Sequence, residues 1–308
     1  MNLKRLLLAA LPSLISADQV SKLAFSDDGT IRQWLYASEL DERSLALLDR
    51  PDIEGIQVIY RWRVLEPERD TYDFSQIYTD LEAVQSKQGK KKLWIQLQDR
   101  TFGPRIQAVP AYLKTEDSNS TVPQCAGDDG CDGDAEVAGW VAAQWNPRVR
   151  ERFQALVKKS LMARSTSGPL SGNFNPQTYF DATLDNAKYA AEAFKTTYVV
   201  QYVNFWPNGT SNANNYLSDS FQFLAKNGIG IGGPDNLPYR PFQVANSYPY
   251  LWEYRNKVPI SVIAIQEPDL SATSPNTSLP YTKDEFLDYA INHLGSKILF
   301  WATSAPWL

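Results

Sequence analysis

The chain has 308 residues, 43% hydrophobic and 21% charged, with Lys+Arg 30 against Asp+Glu 35 and a formal charge of −5. That composition supplies a sizeable core and excludes a disordered tail protein, and the lack of a long basic run argues against nucleic acid as a partner. One histidine, His293, and two cysteines exclude sites built on several imidazoles and four-thiolate zinc centres, which leaves carboxylates, amides and aromatic rings for chemistry.

In chain order, Lys4 and Arg5 precede an apolar run from Leu6 to Ile15 and the small pair Ser16 and Ala17, the grammar of a secretory signal peptide. The run is shorter than the ~20 residues of a membrane span and contains Pro12. Residues 1–17 are expected to be a leader and 18–308 a single domain of a secreted protein with no membrane span. Losing Lys4 and Arg5, and no acid, moves the charge from −5 to −7. From Ile53 onward, apolar strands alternate with amphipathic helices, the pattern of a parallel sheet wrapped by helices. The strands are IEGIQVIY (53–60), KLWIQLQ (92–98), TYVVQYVNF (197–205), GIGIGG (228–233), ISVIAIQ (260–266) and KILFWAT (297–303), with AGWVAAQW (138–145) a weaker seventh.

Between the second strand and that weaker one, Cys125 and Cys131 sit six apart in a Gly- and Asp-rich loop, where export favours a local disulfide. A calcium loop competes, since Asp128, Asp129, Asp132, Asp134 and Glu136 cluster there, but the spacing does not fit the EF-hand pattern, and no metal is assigned. Asn119, Asn208 and Asn276 each begin an Asn-x-Ser/Thr sequon. Asn146 with Pro147, and Asn175 with Pro176, predict helix starts; Thr282 and Glu285 predict a capping box for a last helix that buries Phe286, Ala290 and Leu294 and stops at Gly295. His293 falls in its final turn, where an imidazole complements the helix dipole.

No repeat or linker divides the chain, no G-x-G-x-x-G follows the first strand, and no P-loop lysine motif occurs. A (β/α)8 TIM barrel is the favoured α/β fold, with a doubly wound sheet as the alternative. A barrel assembles its site from the carboxyl ends of its strands. Those ends carry Trp62 and Arg63, Gln98 and Asp99, Asn204 and Trp206, Asp235, Gln266 and Glu267, and Trp301. Amides and carboxylates beside stacking rings suit a carbohydrate ligand, although aromatics also fill barrel cores and Asp or Asn also caps helices.

The segment GIQVIYRWRVLEPERDTYDFSQI (55–77), together with NPRVRERFQALV, GGPDNLPY and the closing FWATSAPW, resembles the clan A glycoside hydrolases, especially the family 42 β-galactosidase-like group, over roughly 53–307. The resemblance implies a retaining hydrolase with an acid/base glutamate after barrel strand four and a nucleophile after strand seven, the latter matching Glu267 in VIAIQEPD, with no cofactor. The fourth strand departs from the family pattern. The chain there reads LMARSTSGPLSGNF, and no Asp or Glu occurs from Leu156 to Gln177. This predicts a barrel incomplete around its fourth strand. Three explanations stand: a chain that has lost a segment, a sugar-binding relative without turnover, or another carboxylate serving as proton donor. Glu66, Asp99 and Asp235 are carboxylates elsewhere on the rim, but none matches the missing position. The function expected is retaining O-glycosyl hydrolysis; the alternative is an inactive carbohydrate-binding or structural wall protein.

Overall fold

The computed structural model describes residues 30–125, 136–159, 175–204, 212–275 and 277–308. In chain order these form β1 (Arg32–Ala37), α1 (Glu42–Leu47), β2 (Ile53–Arg61), α2 (Trp62–Leu65), α3 (Ser75–Gln85), β3 (Lys92–Gln98), β4 (Arg100–Thr101), α4 (Ala111–Glu116), β5 (Thr121–Cys125) and β6 (Val137–Ala142). There follow α5 (Pro147–Lys159), α6 (Pro176–Ala193), β7 (Val200–Tyr202), α7 (Tyr216–Lys226), β8 (Gly230–Gly233), α8 (Pro241–Ala245), α9 (Ser247–Tyr254), β9 (Ser261–Ile265), α10 (Lys283–Asn292) and β10 (Ile298–Ala302).

Seven strands make one parallel sheet in the order β3-β2-β1-β10-β9-β8-β7. That is the cyclic order of a (β/α)8 barrel read as positions 3-2-1-8-7-6-5, and among the described residues no strand fills position four. The fold is thus an incomplete TIM-like barrel, with no strand between β3 and β7 among the described residues. Two sequence expectations are corrected. The segment 53–60 is the second barrel strand, because Arg32–Ala37 precedes it and pairs with both β2 and β10. The weak strand at 138–145 leaves the barrel: β6 pairs antiparallel with β4 and β5 in a separate three-stranded sheet. Gly139 permits that close pairing, since a Cβ there would fall 1.9 Å from the Thr101 carbonyl oxygen.

Side chains alternate between two layers, as the period of two requires. Leu35, Ile56 and Val58 pack outward against one helical half, and Ile231, Ile263, Ile265, Leu299 and Trp301 against the other. Trp34, Tyr36, Val262, Ala264, Ile298 and Phe300 point inward. Inside, Trp34 meets Trp94 and Phe300 edge-on, each at 6.0 Å, and Gly55 leaves the space that Trp34 fills. Across the interior, Tyr202 Oη of β7 donates to Gln57 Oε1 of β2 at 2.9 Å, and Gln57 Nε2 donates to Gln96 Oε1 of β3. Gly232 has no side chain to obstruct the Tyr202 ring. This contact brings the two open edges of the sheet toward one another.

The helix starts follow their caps. Asn146 Oδ1 accepts from Arg148 N at 3.0 Å, Asn175 Oδ1 from Gln177 N at 2.9 Å, and Thr282 with Glu285 completes its reciprocal box. Gly295 adopts φ +64 just past α10, and His293 is the C-cap, stacked on Tyr289 at 4.7 Å. The expected leader 1–17 lies outside the described residues. Among the described residues no helix is long and apolar enough to cross a membrane.

Candidate active site

The rim at the carboxyl end of the sheet gathers its polar groups on one side, over β7, β8, β9 and β1. β8 runs into Pro234 and Asp235, and β9 into Gln266 and Glu267. Gln266 Nε2 donates to the Pro234 carbonyl at 3.1 Å, which ties the two loops together one residue before each carboxylate. Tyr248 Oη donates to the Asp235 carbonyl at 3.0 Å and accepts from Leu237 N at 2.9 Å, while Asn236 Nδ2 donates to the Phe286 carbonyl at 3.0 Å. These bonds hold the loop after β8. Asn204, just past β7, donates through Nδ2 to Asp235 Oδ2 at 2.9 Å.

Glu267 is exposed at the start of a 3-10 turn, Glu267–Ser271. Beneath it, Asp269 is only 4% exposed and accepts from Gln266 N at 2.8 Å. Burial pushes Asp269 up to about 7; the bond from the Gln266 backbone opposes the shift, and the Asp235 and Glu267 charges add to it. Burial also raises Asp235, against the amides of Asn204 and Gln243 and the charge of Arg240. The inward Tyr36 phenol is pushed up to about 12, by burial first and then by Glu267, Asp235 and Asp269. Four acidic groups therefore share one field. Low effective dielectric at such a rim favours the neutral form of the buried members, and Glu267 is the most exposed side chain of the four.

Of the residues expected at strand ends, Asn204 bonds Asp235, and Gln266, the residue before Glu267, bonds the carbonyl of Pro234, the residue before Asp235. Asp99 lies apart from them, after β3: its Oδ2 accepts from Gln144 Nε2 at 2.9 Å, and Gln144 Oε1 accepts from Asn186 Nδ2 at 3.1 Å. Gln98 is buried at the end of the same strand. Two expected stacking rings are corrected. Trp62 is 0% exposed, packed on Phe153, with Nε1 donating to Glu66 at 2.9 Å. Trp301 is likewise 0% exposed and faces the helical layer, against Phe286 and Trp307, so neither ring offers a face to a ligand.

Glu66 belongs to a structural knot rather than the rim. It accepts from Trp62 Nε1, from Tyr112 Oη at 2.9 Å and from Arg152 Nη2, and Arg152 Nη1 donates to Asp70 Oδ1 at 2.9 Å. Asn119 is exposed on a 3-10 turn, and Cys125 closes β5. Trp206, Cys131, Asn208, Asn276 and most of the acidic run considered for calcium lie outside the described residues. Among the described residues no group of three or more His, Cys, Asp or Glu could hold a metal ion. Sequence reasoning missed Tyr36, Asp269, Arg240 and Gln243. Only Asp269 carried a local signal, three residues beyond Gln266 in the spacing of a helix N-terminal box.

No protein-family model matches this chain, and no curated protein matches it. Among solved structures it is similar to endo-glycoceramidase II from Rhodococcus sp. in a cellobiose-like isofagomine complex, at 12% identity over 92% of this chain and 76% of that one, with a TM-score of 0.39. It is similar to CbXyn10B in native form, at 12% identity over 88% and 84% with a TM-score of 0.40. It is also similar to GH5_18 from Bifidobacterium longum subsp. longum, at 8% identity over 88% and 69% with a TM-score of 0.33. These neighbours are glycoside hydrolases. At identities of 8% to 12%, the functional reading rests on this chain's own residues.

Proposed function

We propose that this protein is a secreted retaining glycoside hydrolase in which Glu267 is the nucleophile. The observation that carries the reading is the position of Glu267: an exposed carboxylate just beyond the seventh barrel position, sharing its field with Asp235, Asp269 and the neutral Tyr36 phenol. In such a reaction a carboxylate attacks the anomeric carbon to form a glycosyl ester, which water then hydrolyses. Tyr36 and Asn204 are hydroxyl and amide donors of the kind that hold sugar hydroxyls. Export is supported by the basic-then-apolar start, and the sequons and the cysteine pair suit that destination.

The test is hydrolysis of 2,4-dinitrophenyl β-D-glucoside, β-D-galactoside and β-D-xyloside. Turnover of one of them that disappears in Glu267→Gln is expected; turnover that survives that substitution refutes the assignment. A second reading, sugar binding without turnover, is favoured by one observation, the lack of any Asp or Glu from Leu156 to Gln177. Under it, oligosaccharides bind and quench tryptophan fluorescence while no aryl glycoside is cleaved.

A further inference from the structure

We propose that Asp235 is the proton donor of this reaction and the base of its second half, in place of a glutamate after strand four. This assignment rests on the reading of Glu267 as nucleophile. Asp235 and Glu267 spring from the ends of neighbouring parallel strands, tied to each other by the Gln266 side chain and the Pro234 carbonyl at 3.1 Å. Continuing the register in which Gly233 pairs with Ile263, Asp235 and Glu267 are staggered by two residues on strands about 4.8 Å apart. Their backbones therefore lie about 8 Å from each other, a gap that the two side chains can narrow toward the roughly 5–5.5 Å of a retaining carboxylate pair. Of the other rim carboxylates, Asp269 fails on access, buried with its oxygen committed to Gln266 N, and Asp99 fails on place, just past the end of β3, four strand positions from β9. Asp235 is half-buried, so it keeps a route to a ligand while its side chain is oriented by Asn204.

Gln243 supplies a second, independent observation. It is 4% exposed, its amide lies against Asp235, and its Oε1 is buried without a partner among the described residues. In this orientation the amide N–H serves the Asp235 anion. Rotated about its last bond, the same amide offers Oε1 to a protonated Asp235, so one buried side chain can serve both protonation states. Burial of Asp235 raises its proton affinity, the direction an acid needs.

The steps balance. Glu267 forms a C–O bond to the anomeric carbon as the glycosidic C–O bond breaks; the electron pair leaves on the aglycone oxygen, which takes the proton of Asp235. Water then adds to the anomeric carbon, gives its proton to the Asp235 carboxylate, and Glu267 leaves as the free carboxylate.

The experiment compares phenyl and 2,4-dinitrophenyl β-glycosides of the three sugars named above, with wild type, Asp235→Asn and Glu267→Gln. Wild type is expected to cleave both leaving groups with similar kcat/KM. Asp235→Asn should lose about 10²–10⁴-fold on the phenyl glycoside, far less on the dinitrophenyl glycoside, and azide should restore its turnover by yielding a glycosyl azide. Equal losses on both leaving groups, or no azide effect, overturn the assignment while leaving Glu267 in place. If Asp235→Asn does not fold by circular dichroism, wild type alone decides: a steep dependence on leaving group means no acid operates, and the assignment is wrong. Turnover that survives Glu267→Gln, or no turnover by wild type, removes the underlying reading as well.

Discussion

Asp269→Asn removes one charge from beneath the rim and keeps a side-chain oxygen to accept the Gln266 N–H at the position where Asp269 accepts it at 2.8 Å. In the wild type, burial pushes the carboxyl from its ordinary 3.8 up to about 7, with Asp235 and Glu267 adding to the shift. Between these two values the folded chain holds a proton that the unfolded chain releases, so stability falls as pH rises through that window. About three units at roughly 1.36 kcal/mol each make the cost of ionisation about 4 kcal/mol at pH 8 and almost nothing at pH 4. Asn carries no such cost. Urea unfolding followed by tryptophan fluorescence from pH 4 to 8 should show the variant gaining on wild type as pH rises, by up to about 4 kcal/mol, or roughly 8–16 °C in Tm at about 2–4 °C per kcal/mol. An advantage that does not change with pH, or a variant weaker than wild type at pH 8, refutes the reasoning.

Arg152→Met leaves buried Glu66 without its cation and should cost about 3–5 kcal/mol in urea unfolding, of which Glu66→Gln added in the same chain restores a part. Trp301→Ala should destabilise by about 3–5 kcal/mol through the cavity it leaves, while ligand affinity measured on the folded variant stays unchanged, because the ring faces the helices. Tyr202→Phe breaks the bond to Gln57 across the interior and should cost about 0.5–1.5 kcal/mol, with faster amide exchange in β7 as the readout. Thiol titration of the unfolded, unreduced protein should find no free thiol if Cys125 and Cys131 are bridged.

From β2 onward the alternation of strands and helices is legible because most barrel strands are short β-branched or aromatic runs between turn residues, and that punctuation puts Glu267 just past a strand end. The face each residue takes was not legible. Strands such as Ile298–Ala302 are buried on both sides, so their sequence is apolar throughout and carries no alternation. Hence Trp301 was expected in the cleft when its neighbour Phe300 is the inward ring. β1 escaped notice because RQWLYA begins with two polar residues and has no β-branched side chain. Composition reports that β6 is a strand but not which strands it pairs with, so its place outside the barrel is not legible. The meeting of Asp235 with Asn204, Gln243 and Gln266 joins separate loops, and no local spacing encodes it.

Among the described residues no strand joins β3 to β7, and this changes the mechanics of the sheet. In a closed barrel, strands that part at one place remain joined the other way round. Here the β1–β10 ladder is the one backbone seam among the described residues that joins β1, β2 and β3 to β7, β8, β9 and β10. The two outer apolar clusters also divide along it. The sheet is built like a book with one spine, its covers held together at the far side by the phenol of Tyr202 on Gln57 and by α5 against α6, where Asn186 bonds Gln144 and Gln154. Parting the covers means breaking these far-side contacts while the spine holds, so the last amides to exchange should be those of the spine, and the carboxylates Asp235 and Glu267, both on one cover, should keep their register with each other.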